Sequence, residues 1–365
     1  MPIESVAIRN FRGIKECSIG DFADVNVLIG RNGSGKSTIL ESIYLASAYV
    51  NPRDKFYDKE KRDLIISRRT DRGKWDSSKE LIWFLTDTTK DIEINLTFTN
   101  KKRLRFKIIY LAPQGRYLWL LIPEEIRKAD SLGEYDHYNL LGSYVLSRKT
   151  LKTEFIPRLE DKINEVYGDV FNFLRRIVLI DSKILSNPGR IEDTTWAEIL
   201  TKRLDKLLIG MIREGFEAEA EDLTYMPVGR DKVLALKLPK TTVRVDDLGD
   251  GARTAILLAS ILLMLNDTAV LIEEPESHQH PGGLKTIMNF ALKMAKERKL
   301  QLFMSTHSTE LLKILRKLCE DVGLSLRIFF LERDSKGFVD VRVLERIDVD
   351  ILLKLGLDPR FLDVV

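Results

Sequence analysis

The chain has 365 residues, 44% of them apolar and 31% charged, with a net charge of only +3. That composition suits a protein able to form two or three compact units and excludes a polybasic tail, though not a local basic surface. The longest apolar stretch, Ala255 to Leu265, is shorter than the ~20 residues needed to cross a bilayer, so no membrane partner is expected.

The opening MPIESVAIRNF has no basic flank followed by an apolar run, and the cysteines are Cys17 and Cys319 without a CxxC pair. Neither secretion, a disulfide framework nor a zinc site is expected, and a cytoplasmic location fits. Residues 3–9 (IESVAIR) and 25–29 (VNVLI) read as strands flanking the NFRGI turn. The second runs into GRNGSGKST and a helix from Ser37 to about Val50, giving a strand, loop, helix unit. A basic, loop-like stretch follows, with KEKRD at 59–63 and RRTDRGK at 68–74. Alternation over 91–100, 103–111 and 116–122, with PQG between the last two, predicts an antiparallel sheet.

Residues 123–222 read as mainly helical, clearest over 151–176 and 195–215 and interrupted by NPGR at 187–190. Short strands in LTYMPV, KVLALKL and TTVRV lead into LGDGAR at 248–253. The closing segment alternates strands (AVLIEE, QLFMST, LRIFFLE, FVDVRVL) with helices at 282–298 and 309–322, as an α/β core should. Three units are expected: 1–122 with the glycine loop and antiparallel sheet, an inserted helical lobe over 123–222, and 223–365 carrying the remaining motifs.

Gly30-x4-Gly35-Lys36-Ser37 fits the P-loop. Gly30, Gly33 and Gly35 let backbone N–H groups curl around phosphates at the positive end of a helix, with Arg31, Asn32, Ser34 and Thr38 completing the cradle. Lys36 is expected to neutralise the β- and γ-phosphates of ATP, and the Ser37 hydroxyl to ligate Mg²⁺. VLIEEPE, Val270 to Glu276, ends an apolar strand and delivers two carboxylates to its tip. Glu273 is expected to hold the magnesium, directly or through water, and Glu274 to orient or deprotonate the attacking water; an acidic helix cap is the plainer alternative. His307 in STHS (305–308) follows another apolar strand and so belongs to the same sheet edge, where it can meet the γ-phosphate or the water. His278 and His280 form an H-x-H pattern, but two ligands are too few for a zinc or manganese site.

LGDGAR sets Gly249, Asp250 and Gly251 just before a long apolar helix, whose free N–H groups make another anion site. Together these motifs resemble the ATP-binding-cassette ATPases, and more closely the SMC, RecF and OLD-like group, in which IRNFRGIK-like starts and EEPE followed by HP recur. The resemblance covers roughly 1–50 and 240–320. It implies an α/β P-loop NTPase of the ABC-ATPase type: a mixed core sheet with an antiparallel β subdomain and an inserted helical lobe. It also implies a homodimer in which ATP on one P-loop is capped by the 249–251 loop of the other subunit, with His307 as the switch histidine and Phe11 and Arg12 near the nucleotide. Asp250 and Arg253 depart from the usual signature, and Gln114 in the PQG turn is a poor candidate for the glutamine loop. No long coiled coil separates the halves. The 58 residues after His307 are fewer than the ~100 of a typical domain, so the nuclease domain of OLD-family proteins is not expected.

Three uses of such an ATPase stay open. One is an ATP-driven clamp on duplex DNA in repair, recombination or defence, with the basic stretches at 59–74 and 101–107 as phosphate contacts or merely solvated faces. Another is a sensor or scaffold for a separate effector protein, such as a nuclease. The third, a transporter ATPase subunit, is disfavoured by the long span between P-loop and signature. The phosphate cradle does not read the base, so GTP stays open beside ATP.

Overall fold

The computed structural model describes residues 1–68, 87, 89–111, 116–123, 156–185, 188–229, 231–345 and 348. In chain order the first part contains β1 (Ile3–Phe11), β2 (Ile14–Ile19), β3 (Val25–Ile29), α1 (Lys36–Val50), β4 (Arg53–Asp54), β5 (Lys59–Glu60), α2 (Lys61–Ser67), β6 (Ile92–Phe98), β7 (Arg103–Leu111) and β8 (Arg116–Pro123). Next come α3 (Ile156–Arg175), β9 (Val178–Ile180), α4 (Ser182–Leu185), α5 (Pro188–Thr201), α6 (Asp205–Gly215), β10 (Asp222–Val228), β11 (Asp231–Lys237) and β12 (Thr242–Arg244). The last part holds α7 (Asp250–Leu263), β13 (Thr268–Glu273), α8 (Pro281–Arg298), β14 (Leu300–Ser305), α9 (Thr309–Val322), β15 (Leu326–Arg333) and β16 (Val339–Leu344).

The core sheet has the order β16-β15-β3-β14-β13-β9. Its five strands from β15 to β9 are parallel, and β16 closes the edge antiparallel to β15. VNVLI in β3 and LQLFMS in β14 are buried along their whole length. Uninterrupted burial of this kind is what a parallel sheet covered on both faces requires. A second, antiparallel sheet runs β2-β1-β6-β7-β8. Here β6 alternates buried and half-buried residues, the pattern of a strand with one face toward the core.

Helix α1 joins the two sheets. It packs against β1 and β6 of the antiparallel sheet and against β13 and β14 of the core sheet, so every residue from Thr38 through Ala48 is buried. A helix covered all round must neutralise any charge it carries inside. Glu41, fully buried on α1, is such a charge. The opposite face of the core sheet carries α8 against β14, with α7, α9 and α6 around it. Helix α9 is bounded as its sequence dictates: the Ser308 side chain accepts from the Leu311 N–H, and Gly323 ends it in the left-handed conformation.

Two local features differ from expectation. The NFRGI turn does not lead to β3 but closes a hairpin, because IKECSI forms β2 with Phe11 opposite Ile14. Within the stretch read as mainly helical, VLI forms β9 and pairs with β13 at the edge of the core sheet. The PQG turn with Gln114 lies outside the described residues.

Candidate nucleotide site

The register of the core sheet brings the motifs to one edge. Glu273 at the end of β13 lies opposite Ser305 of β14, and Ser305 lies opposite Leu28 of β3, two residues before Gly30. This is the carboxyl end of the parallel strands, where open α/β sheets bind their ligands.

Gly30, Gly33 and Gly35 all have left-handed φ values of 138°, 78° and 105°. At Gly30 a Cβ atom would lie 2.3 Å from the Leu331 carbonyl oxygen, so only glycine lets the loop pass β15. Arg31, Asn32 and Gly33 are exposed, whereas Ser34, Lys36 and Thr38 are buried. Gly35 precedes α1 without a side-chain cap, which leaves first-turn N–H groups directed at an anion. The Ser34 hydroxyl is buried without a hydrogen-bond partner among the described residues, a further donor at the loop. Lys36 reaches back over the loop and donates from Nζ to the carbonyls of Gly30 (2.8 Å) and Arg31 (2.9 Å). Burial lowers its pKa to about 8, opposed in part by the Glu274 carboxylate. A phosphate at this loop would restore the charge that burial disfavours.

Ser37 donates its hydroxyl hydrogen bond to Glu273 Oε1. A hydroxyl and a carboxylate oxygen side by side form a hard donor pair of the kind Mg²⁺ prefers. Behind them lies a network absent from the sequence expectations. Arg68, just beyond α2, pairs with Glu273, with Asp181 at the end of β9, and with Glu41 at 3.0 Å. Glu41 also meets Arg12 at 2.7 Å. Arg12 sits in the β1–β2 turn with a φ of 51°, its guanidinium directed at Glu41 and the Ile65 carbonyl oxygen. The structure thus places Arg12 against α1, linked to the Ser37–Glu273 pair through Glu41 and Arg68.

Glu274 has a left-handed φ of 48°, which swings its side chain off the end of β13. Its carboxylate lies 3.8 Å from His307 Nε2, and both side chains are partly exposed. The backbone here is tied down on both sides. The Glu274 N–H donates to the Ser305 carbonyl at 2.9 Å. Glu276 Oε1 accepts from the Thr306 hydroxyl at 2.6 Å and the His307 N–H at 3.1 Å. The third glutamate of EEPE, Glu276, therefore fixes the strand end that carries the histidine.

Gly249 and Asp250 are exposed at the start of α7, and Gly251 is half-buried. Arg253 pairs with Asp250 at 3.1 Å. The first turn of α7 is held by Gln279, whose side-chain amide donates to the Gly251 carbonyl at 2.9 Å and to Thr254 Oγ1 at 3.3 Å. Of the two histidines in H-x-H, His280 caps α8 through Nδ1 and His278 adopts a left-handed φ of 64°. Among the described residues no group of three or more His, Cys, Asp or Glu side chains is arranged for a metal.

Residues 25–313 match the family described as "AAA domain, putative AbiEii toxin, Type IV TA system" (AAA_21). The chain belongs to that family. A Helicobacter pylori protein named ATP/GTP phosphatase is 22% identical over 356 residues, spanning 92% of this chain and 93% of that protein. The DNA replication and repair protein RecF of Staphylococcus haemolyticus is 22% identical over 332 residues, spanning 73% of this chain and 88% of that protein. Among solved structures, an SMC head bound to the C-winged helix domain of ScpA has a TM-score of 0.52 at 15% identity, covering 94% of this chain and 98% of that one. A Pyrococcus furiosus Smc head with an extended coiled coil, bound to the C-terminal domain of ScpA, also gives 0.52, at 13% identity and 97% and 99% coverage. The fold is that of SMC heads, and the chain is an SMC/RecF-like ABC ATPase.

In this AAA_21 ATPase the expected loop and strand-end residues share one edge, while Gly249 to Gly251 lie on α7, whose first turn is held by Gln279. Sequence reasoning missed Glu41, Arg68, Asp181 and the support from Glu276 and Gln279. Glu41 was detectable as a lone acid in an otherwise uncharged helix segment, TILESIYLASAY. Asp181 follows the short apolar run IVLI, a strand signal inside a helical region. Arg68 was legible only as one cation in a basic run. The basic stretches are themselves largely committed: Lys101, Lys102 and Lys107 pair with Glu4, Asp169 and Asp91, and Arg62 pairs with Glu60 and Asp63. Residues 69–74 lie outside the described residues. Among those residues, no helix is long and apolar enough to cross a membrane.

Proposed function

We propose that the chain is a Mg²⁺-dependent ATPase that works as an ATP-driven homodimer switch on duplex DNA. One observation carries the hydrolytic part: Lys36, the Ser37–Glu273 pair and the Glu274–His307 pair all lie at the carboxyl edge of one sheet. In this reading Gly30 to Thr38 cradle the phosphates, and Ser37 and Glu273 hold the metal, which screens phosphate charge. Glu274 orients or deprotonates the attacking water, and His307 senses the γ-phosphate. Exposed Gly249 and Asp250, with Gly251, cap the nucleotide of the second subunit. The units 1–122, 123–222 and 223–365 remain a reading of the chain, with β9 of the middle unit adding an edge strand to the core sheet.

The DNA part rests on kinship with a RecF protein and with the SMC fold. The lysines of 101–107 do not add to it, since they already face acids. A separate effector protein is the second reading, favoured by SMC-head structures that carry a bound ScpA domain. The deciding experiment uses Glu274→Gln. It should retain ATP binding, lose turnover and sediment as a dimer only with ATP. Undiminished hydrolysis would remove Glu274 as the base, and a monomer with ATP would remove the switch. ATP-stimulated, salt-sensitive duplex binding supports DNA; stoichiometric capture of one protein without DNA binding supports the effector. Parallel assays with GTP establish base preference.

A further inference from the structure

Arg68 is buried to 6% side-chain exposure and contacts three carboxylates from three different elements: Glu41 of α1, Asp181 after β9 and Glu273 at the tip of β13. Glu41 and Asp181 have no place in the hydrolytic scheme above, and a buried acid without a cation is costly. Arg12 and Arg68 supply two positive charges against these three acids. Among the described residues the cluster adjoins the point where Ser37 donates to Glu273. The guanidinium binds Glu273 through Oε2 while Ser37 occupies Oε1, so both oxygens of the expected metal ligand are engaged within the chain.

We propose that Arg68 is a positioning residue that acts as an internal counter-ion for Glu273. Its guanidinium and a divalent cation compete for the same carboxylate, and metal-bound nucleotide seats only when Arg68 withdraws. Glu41 and Asp181 then serve as its resting place: the side chain can leave Glu273 while keeping two charged partners, so the exchange never strands a buried cation. The device lowers the affinity of the site for metal and makes occupancy depend on the nucleotide phosphates that arrive with it. Arg68 is the first residue after α2 and opens the RRTDRGK run.

The inference rests on the reading of Ser37 and Glu273 as the metal corner, and its test separates the two. The affinity of the full chain for the fluorescent nucleotide mant-ADP is measured with Mg²⁺ and with EDTA. The comparison covers the unsubstituted protein, Arg68→Lys, Arg68→Met and Arg68→Met combined with Glu41→Gln. The double substitution removes one of the acids that Arg68 contacts, and circular dichroism checks that each protein folds. The Mg²⁺/EDTA affinity ratio should rise roughly tenfold when the guanidinium is removed, the size expected for releasing one charge-assisted hydrogen bond, and should stay near the original value in Arg68→Lys. A purely structural arginine would shift the melting temperature and leave the ratio unmoved. An unchanged or reduced ratio in the folded double variant overturns the proposal. Failure of the unsubstituted chain to bind mant-ADP under either condition overturns the nucleotide reading itself.

Discussion

Glu276 offers a graded test of how the strand end carrying His307 is held. Its Oε1 accepts two hydrogen bonds, from the buried Thr306 hydroxyl at 2.6 Å and the His307 N–H at 3.1 Å, while Oε2 has no hydrogen-bond partner among the described residues. In Glu276→Gln the amide oxygen can take the place of Oε1 and the amide nitrogen that of the unpartnered oxygen. The charge assistance is lost and the amide N–H groups enter a position with no acceptor among the described residues, a cost of about 1–2 kcal/mol. In Glu276→Ala both donors lose their acceptor in a site too tight to rehydrate freely. At ~1–3 kcal/mol for each orphaned group the cost is roughly 3–4 kcal/mol. Urea denaturation of the three proteins should give this order, with m-values unchanged. Steady-state hydrolysis should follow it, because a displacement of about 1 Å at a positioned group can cost on the order of 100-fold in rate. If both variants fall within ~0.5 kcal/mol of the original protein, Glu276 is not the anchor described here.

Gly30→Ala places a methyl group 2.3 Å from the Leu331 carbonyl oxygen at a φ of 138°, and should abolish nucleotide binding and lower the melting temperature by several degrees; normal binding would mean the loop yields freely. Gln279→Leu removes the amide that holds Gly251 and Thr254, and should weaken ATP-dependent dimerisation in sedimentation runs while leaving the nucleotide affinity of the single chain unchanged. Lys61 is buried and its pKa falls from 10.5 to about 8 by desolvation, against the pull of Asp54. Below about pH 8 both folded and unfolded chains carry the proton; above it the folded chain releases it first, so this residue adds stability as pH rises. The stability of the original protein relative to Lys61→Met should increase by about 2 kcal/mol between about pH 7 and 9.5. A pH-independent difference would refute the shift.

The strands and helices that build the nucleotide edge were legible because their signals are local. Thr309–Val322 begins at a serine cap and ends before a glycine, and VNVLI is an apolar run delivered straight into a glycine loop. What was not legible depends on partners distant in sequence. IKECSI is assigned no element from the sequence and becomes β2 only with Ile14 opposite Phe11. The three residues VLI become a strand only beside β13. Arg68 shows the same limit at the level of chemistry: nothing in RRTDRGK distinguishes the one arginine that three acids enclose, because each acid comes from a different element. Spacing identified the groups expected to touch phosphate, but not those that hold them in place.

The position of β3 has a consequence for how the protein is made. Val25 pairs with Leu302 on one side and with Leu326 on the other, so the strand carrying the glycine loop stays without core-sheet neighbours until β14 and β15 have emerged. The β1–β2 hairpin and its pairing with β6 can form early, but the central strand waits. Closing so long a loop is slow, and a mostly apolar strand left waiting is prone to aggregate. Truncated chains ending before β14 should therefore be blind to nucleotide however intact their glycine loop. In the proposed reading, nucleotide binding would report that β3 has been enclosed by β14 and β15.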